Sequence, residues 1–128
     1  MSYSVIVKED CATCQLVVPV IKQLEEGEEL TIYCQDKVEF PPGVSVVDDR
    51  QLEYSWRRRV ETVPTLIKFD DNGEELARVI GWEKSEWQAL TGSLLGVDLP
   101  DFRPGCGSKS QDPGMPEKLA ARFDRDKL

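Results

Sequence analysis

Apolar residues in the first three quarters of the chain alternate between strand-like runs and helix-like periodicity. Residues 3–8, YSVIVK, are rich in β-branched side chains and predict a buried strand, and residues 30–34, LTIYC, predict a second strand. Between them, residues 11–26 place apolar side chains three and four positions apart, which predicts a helix that stops at Gly27. This helix is predicted to kink at Pro19, because an interior proline removes a backbone hydrogen bond.

The pattern then predicts a second helix after a loop. Residues 44–47, VSVV, are strand-like, but the run is short and makes a doubtful extra strand. Asp48 or Asp49 is placed to cap the helix that follows, because a short acidic side chain accepts hydrogen bonds from the first free amides. The buried stripe of this helix is predicted to be Leu52, Trp56 and Val60.

A hairpin and a last helix complete this part of the chain. Residues 64–69 and 75–80 predict two antiparallel strands joined by the turn signal Asn72-Gly73. Ser85 and Gln88 match a capping box for the last helix. One face of that helix would carry Trp87, Leu90 and Leu94.

The order of these elements defines the expected fold class. Strand–helix–strand units imply parallel neighbours, and the hairpin adds antiparallel strands, so we expect an α/β domain with a mixed central sheet flanked by helices over residues 1–97. Residues 98–128 are dense in Pro, Gly, Ser and Asp and predict an irregular extension. A short terminal helix could follow Pro116 within it.

Composition and charge limit the kinds of partner that the protein is expected to bind. The 128 residues carry a net charge of -8, which disfavours binding to nucleic acid or an anionic membrane. The chain begins without a charged leader followed by an apolar stretch, and no segment approaches the roughly 20 apolar residues of a membrane span. We therefore predict a cytoplasmic protein. Four cysteines in such a reducing compartment favour catalysis, metal binding or burial over permanent bridges.

The pair Cys11 and Cys14, with two residues between them, is the main chemical motif. The spacing alone fits a disulfide catalyst, half of a metal site or two core thiols. Cys11 falls where the first helix begins, and the amides and dipole of a helix start favour a thiolate there. Cys14 lies one turn further in. This placement predicts Cys11 as the attacking sulfur and Cys14 as the resolving one.

Together with Pro19 and the tripeptide Val63-Pro64-Thr65, this motif resembles the thioredoxin-like family over residues 3–97. The resemblance implies thiol–disulfide oxidoreductase activity with no cofactor beyond the redox-active pair. It also implies a cis peptide bond before Pro64 and substrate binding at Val63, Pro64 and Thr65. The expected partners are a protein or small-thiol disulfide substrate and an upstream reductase or oxidant, which makes the protein an electron carrier.

The sequence departs from that family next to the cysteines. Ala12-Thr13 lies between them where the family usually has Gly-Pro, and Glu9 and Asp10 precede Cys11. Like charge from these two carboxylates is expected to oppose a thiolate, with Lys8 as a partial offset. We find no carboxylate on the first strand to accept a proton from Cys14. These departures predict exchange with a dedicated partner rather than general disulfide reduction.

The remaining cysteines leave alternatives open. Cys34 ends a strand and is expected to be an inert core thiol. Cys106 lies between two glycines in a tail expected to be flexible, either as a surface thiol without a role or as an accessory thiol that exchanges with Cys11. All four cysteines could also form a zinc site, although only one closely spaced pair is present. A redox-silent adaptor that docks a partner is the third interpretation.

Overall fold

The computed structural model describes residues 1–125. Residues 126–128, the last three of the predicted extension 98–128, lie outside the described residues. Within residues 1–125, no helix is long and apolar enough to cross a membrane.

A five-stranded mixed sheet forms the centre of the molecule, which confirms the predicted fold class. Strand β1 (Ser2–Val7) lies in the middle and pairs in parallel with β2 (Leu30–Cys34). On its other side β1 pairs antiparallel with β5 (Thr65–Phe69), and β5 pairs with β6 (Glu75–Ile80) across the predicted hairpin. The doubtful strand is reduced to two residues, β3 (Val47–Asp48), beside β2.

The first predicted helix is broken into two. Helix α1 (Ala12–Leu16) ends at Val17, and α2 (Val18–Gly27) continues to the predicted stop. Pro19 lies in the first turn of α2, where the amide it lacks has no helical partner to lose. The proline therefore begins a new helix here rather than bending one continuous helix.

The two later helices are shorter than predicted. Helix α3 (Glu53–Arg57) is capped by Asp49, whose carboxylate accepts the amides of Tyr54 and Ser55. The predicted stripe of this helix is buried as expected, but Val60 lies beyond the last turn.

Helix α4 (Lys84–Thr91) begins one residue before Ser85. The predicted capping box is wrong, because the side chain of Glu83 accepts the amide of Ser85 and caps the helix. The helix ends before Leu94, which is 76% exposed, and Leu95 enters the core in its place.

Residues 98–125 of the extension are not irregular throughout, as they add two short strand pairs. Strand β7 (Trp82–Glu83) pairs with β8 (Phe102–Arg103), and β4 (Thr62–Val63) pairs with β9 (Cys106–Gly107). A 3₁₀ turn at Lys109–Gln111 and helix α5 (Met115–Arg122) follow. Residues 98–125 thus return to the domain and contact it through these strand pairs.

Two clusters of buried side chains hold this arrangement. The main core is formed by the central strands, the inner face of α2 and two tryptophans that contact each other, Trp82 and Trp87. The smaller core lies between α3 and α5 and contains Leu52, Trp56 and Leu119. Because the smaller core depends on α5, the extension contributes apolar burial of its own.

Candidate functional site

Cys11 lies at the junction between the central strand and the first helix. Its backbone is extended, with φ of -160°, and it forms the N-cap of α1. Its Sγ atom accepts a hydrogen bond from the amide of Cys14 at 3.2 Å. The side chain therefore satisfies one of the amides that every helix start leaves free.

The surroundings of Cys11 favour its thiolate. The pKa of Cys11 is lowered to about 5, mainly because the thiol of Cys14 donates to it. Burial acts in the opposite direction, and a further lowering comes from the thiol of Cys106 and from the amides of Cys14 and Thr13. Hydrogen bonds to the charged form thus outweigh the cost of desolvation.

The surroundings of Cys14 favour its protonated thiol instead. Its side chain is fully buried, and burial followed by the hydrogen bond to Cys11 raises its pKa. Cys14 is therefore a protonated donor while Cys11 is the charged acceptor. This asymmetry within one pair fits a nucleophile in front and a protonated resolving thiol behind it.

The acidic residues before Cys11 do not outweigh the hydrogen bonds that favour its thiolate. The carboxylate of Glu9 pairs with Lys37 at 3.1 Å. The amides of Glu9 and Asp10 both donate to the carboxylate of Asp36, at 2.7 and 3.0 Å. The pKa of Cys11 is lowered all the same, so short-range hydrogen bonds decide the sign and the charges of the loop do not.

Residues 63–65 lie beside this cysteine. The peptide bond between Val63 and Pro64 is cis. The carbonyl oxygen of Val63 lies 3.7 Å from Sγ of Cys11. Thr65 is buried and its hydroxyl donates to the carbonyl of Thr62 at 2.6 Å, which fixes the start of β5. The structure thus brings the predicted substrate-binding segment next to the predicted nucleophile.

Cys106 is the feature that the sequence describes least well. The expectation of a flexible tail is wrong at this position, because β9 pairs antiparallel with β4 and sets Cys106 opposite Val63. The Sγ atoms of Cys106 and Cys11 lie 2.6 Å apart. Burial, and then the contact with Cys11, raise the pKa of Cys106. Three of the four sulfur atoms therefore belong to one cluster.

Side chains of the domain hold the segment around Cys106 from both sides. The hydroxyl of Thr13 donates to the carbonyl of Pro104 at 2.5 Å, and Nζ of Lys8 donates to the carbonyl of Gly107 at 2.7 Å. Sequence reasoning assigned neither contact. The signal that could have found both residues is their position, since Lys8 directly follows the first strand and Thr13 lies between the two cysteines.

A buried amide fixes the end of the same segment. Gln35 is 1% exposed and its side chain donates to the hydroxyls of Ser55 and Ser108, at 2.8 and 2.7 Å. Its carbonyl oxygen accepts the amide of Lys109 at 2.9 Å. Both ends of this buried side-chain amide are therefore hydrogen-bonded. Through these bonds Gln35 connects the end of β2 to α3 and to the residues after β9. Nothing in the sequence around Gln35 marks it for this role.

Cys34 does not join the sulfur cluster. Its buried thiol donates to the carboxylate of Asp36 at 3.2 Å, and burial raises its pKa. In the part of the chain that the structure describes, no group of three or more histidine, cysteine, aspartate or glutamate side chains is arranged to hold a metal ion. The four-cysteine zinc interpretation therefore has no support from the geometry.

This combination of a mixed sheet, flanking helices and a cysteine pair at the first strand–helix junction defines a thioredoxin-like fold. Among solved structures, the chain is similar to StoA from Bacillus subtilis, with a TM-score of 0.55 and 14% identity. The match covers 72% of this chain and 81% of that chain. At this identity the likeness shows the fold alone. No protein-family model matches the sequence, and a search of curated proteins gives no significant match.

Proposed function

We propose that this protein is a thiol–disulfide oxidoreductase that exchanges disulfides with a protein or small-thiol partner. Cys11 is the attacking sulfur and Cys14 the resolving one. The proposal rests on one observation, the placement of the two thiols: Sγ of Cys11 caps the first helix and accepts the amide of Cys14 at 3.2 Å, while Cys14 is fully buried behind it. In line with this placement, the pKa of Cys11 is lowered to about 5, whereas burial raises that of Cys14. A thiolate is the species that attacks a disulfide, and at neutral pH Cys11 is almost wholly thiolate.

The chemical step follows from this geometry. The thiolate of Cys11 attacks one sulfur of a partner disulfide, forms a mixed disulfide and releases the partner's second sulfur as a thiolate. Cys14 then attacks Sγ of Cys11, which gives the Cys11–Cys14 disulfide and frees the partner's first sulfur. The proton of Cys14 passes to that leaving sulfur, so the partner is reduced by two electrons and this chain is oxidised by two.

The first prediction tests this function directly. The purified protein should show a reversible two-electron couple when it is equilibrated with thiol buffers and its free thiols are counted by mass spectrometry. Cys11→Ser should abolish the disulfide with Cys14 and the reduction of insulin, whereas Cys34→Ser should retain both, because the serine hydroxyl can still donate to Asp36.

Metal content is to be measured on the same samples. A wild-type protein without any reversible couple contradicts the proposal. Stoichiometric zinc in place of a couple would support the metal-binding interpretation, and neither zinc nor a couple would support the adaptor. The partner class and the cytoplasmic location remain predictions.

A further inference from the structure

The three clustered sulfur atoms differ in how far solvent reaches them. Cys14 is fully buried and Cys11 is 5% exposed, whereas Cys106 is partly exposed. A partner sulfur must approach along the axis of the disulfide bond that it breaks, so access limits which sulfur it attacks. With β9 in place, Cys106 is the most accessible member of the cluster.

The distance between Cys11 and Cys106 is short enough for exchange. Their Sγ atoms lie 2.6 Å apart, near the length of about 2.05 Å of a disulfide bond. The paired strands β4 and β9 supply this approach, since Cys106 is the register partner of Val63, whose carbonyl faces Sγ of Cys11.

The fit of the backbone shows that this placement is specific. A Cβ atom added to Gly105 would lie 2.5 Å from the methyl group of Thr62 and 2.6 Å from the carbonyl oxygen of Val63. Only glycine allows β9 to enter so close to β4. Gly107, on the other side of Cys106, meets nothing within 4 Å. Of the two glycines that flank Cys106, one is therefore required by packing.

We propose that Cys106 is a third redox cysteine, a relay thiol that passes the disulfide between the buried pair and external thiols. This inference rests on the proposed function of Cys11 and Cys14. In the inner step, the sulfur of Cys106 attacks Sγ of Cys11 in the Cys11–Cys14 disulfide. A Cys11–Cys106 bond forms, the Cys11–Cys14 bond breaks, and the proton of Cys106 passes to the sulfur of Cys14.

The outer step exchanges the disulfide with a partner. An external thiolate attacks Sγ of Cys106, forms a mixed disulfide there and releases Cys11 as a thiolate. Cys11 is the favourable leaving group, because the thiol with the lower pKa leaves faster. A second external thiol then attacks the mixed disulfide, releases Cys106 and leaves with the first as an oxidised pair. The partner is thus oxidised by two electrons in total.

The second prediction concerns where an external thiol reacts. Cys14→Ser, oxidised with one equivalent of diamide, should form a Cys11–Cys106 disulfide that peptide mapping detects. Short exposure of this species to reduced glutathione should place the glutathione adduct on Cys106. An adduct on Cys11, or the absence of the Cys11–Cys106 disulfide, would overturn the relay. The double variant Cys14→Ser/Cys34→Ser should give the same adduct on Cys106, which would show that the buried thiol of Cys34 takes no part.

A rate measurement separates the relay from the function on which it rests. Glutathione should reduce the disulfide of Cys106→Ser at least about tenfold more slowly than that of the wild type, because the partner must then reach buried Cys11. The Cys11–Cys14 couple should persist in this variant. A persisting couple with an unchanged rate overturns the relay alone. A missing couple overturns the proposed function, and the inner step with it.

The two glycines provide a matched pair for the role of the strand. Gly105→Ala should slow formation of the Cys11–Cys106 disulfide several-fold, because the new methyl group pushes β9 away from β4. Gly107→Ala should leave the rate unchanged. Circular dichroism on both variants checks that the domain is folded. Equal rates in the two variants would show that strand placement does not deliver Cys106, and would overturn that part of the inference.

Discussion

Two thiols set the charge of Cys11. The hydrogen bond from Cys14 contributes most to the lowering of its pKa, and that from Cys106 comes next among the causes that lower it. Both donors are also the sulfurs with which Cys11 can bond. Reduction of the site therefore restores the hydrogen bonds that make Cys11 a thiolate, whereas formation of either disulfide consumes the thiolate that both bonds stabilise.

The third prediction follows at this scale. Thiolate absorbance near 240 nm, taken as the difference between reduced wild type and Cys11→Ser, should titrate with a midpoint of about 5. The thiolate is present above this pH and is lost as the pH falls through it. Cys14→Ala should raise the midpoint most, and Cys106→Ala should raise it less, in the order of the two contributions.

Serine provides the matched control for this titration. Cys106→Ser keeps a hydrogen-bond donor at the same position, so its midpoint should stay below that of Cys106→Ala. A midpoint near 8.5 in the wild type would show that Cys11 behaves as an ordinary thiol and would contradict the proposed nucleophile.

Among the elements, β9 depends on a contact outside its own strand pair. Its two residues pair with only two residues of β4, and such a short ladder is weak alone. Gln35 fixes the following residues by bonding to the side chain of Ser108 and the amide of Lys109. The buried side-chain amide of Gln35, the residue after β2, thus helps to hold the strand that carries Cys106.

The fourth prediction replaces this amide. Gln35→Leu removes three hydrogen bonds and leaves the buried hydroxyls of Ser55 and Ser108 and the partly buried amide of Lys109 without that partner. Each such group costs about 1–3 kcal/mol, so the free energy of unfolding should fall by at least about 2 kcal/mol in urea titration. Iodoacetamide should also modify Cys106 faster, because β9 is held less firmly.

Gln23→Leu is the control, since Gln23 is exposed on α2 and the same change there removes no buried hydrogen bond. Its stability should stay within about 0.5 kcal/mol of the wild type. If both variants lose the same small amount, Gln35 does not fix the segment as described.

At the scale of the whole molecule, the extension and the domain share a core. Leu119 on α5 is 1% exposed and packs with Leu52, just before α3, and Trp56, within α3. Arg125 reinforces this contact, as its guanidinium lies 3.4 Å from the ring centroid of Trp56. The extension should therefore unfold together with the domain rather than before it.

The fifth prediction tests this shared unfolding. Leu119→Ala should lower the free energy of unfolding by about 2–5 kcal/mol, the range for a buried leucine. Leu94→Ala is the matched control, because Leu94 is 76% exposed, and should change stability by less than about 0.5 kcal/mol. An unchanged Leu119→Ala, or a separate early transition of the extension in wild type, would contradict the shared core.

The sequence predicts the strands and turns whose formation depends mainly on neighbouring residues. The strands at residues 30–34 and 75–80 agree with their predicted bounds, because β-branched runs and the Asn-Gly turn carry short-range signals. Ser85 is predicted as the cap because serine is a common one, yet Glu83 caps the helix instead by accepting the amide of Ser85 itself. Two acceptors near one helix start are not separated by residue type alone.

The functional site also has a part that short sequence patterns predict and a part that depends on the whole fold. The cysteine pair and the segment around Pro64 could be located from motifs and spacing. The contact of Cys106 with Cys11 spans 95 positions and depends on the fold of the extension, which no short pattern describes. Glycines beside Cys106 favoured a flexible tail, but glycine also permits close approach of two backbones, and Gly105 shows the second use.

The long separation of Cys11 and Cys106 has a topological consequence. A disulfide between them closes a covalent ring that contains most of the molecule, whereas a Cys11–Cys14 disulfide closes a ring of one helical turn. Closing a loop of about 100 residues restricts the unfolded chain by up to about 4.7 kcal/mol in the chain-entropy model. Moving one disulfide by a single exchange therefore changes how far the unfolded chain can expand, with no change in the number of bonds.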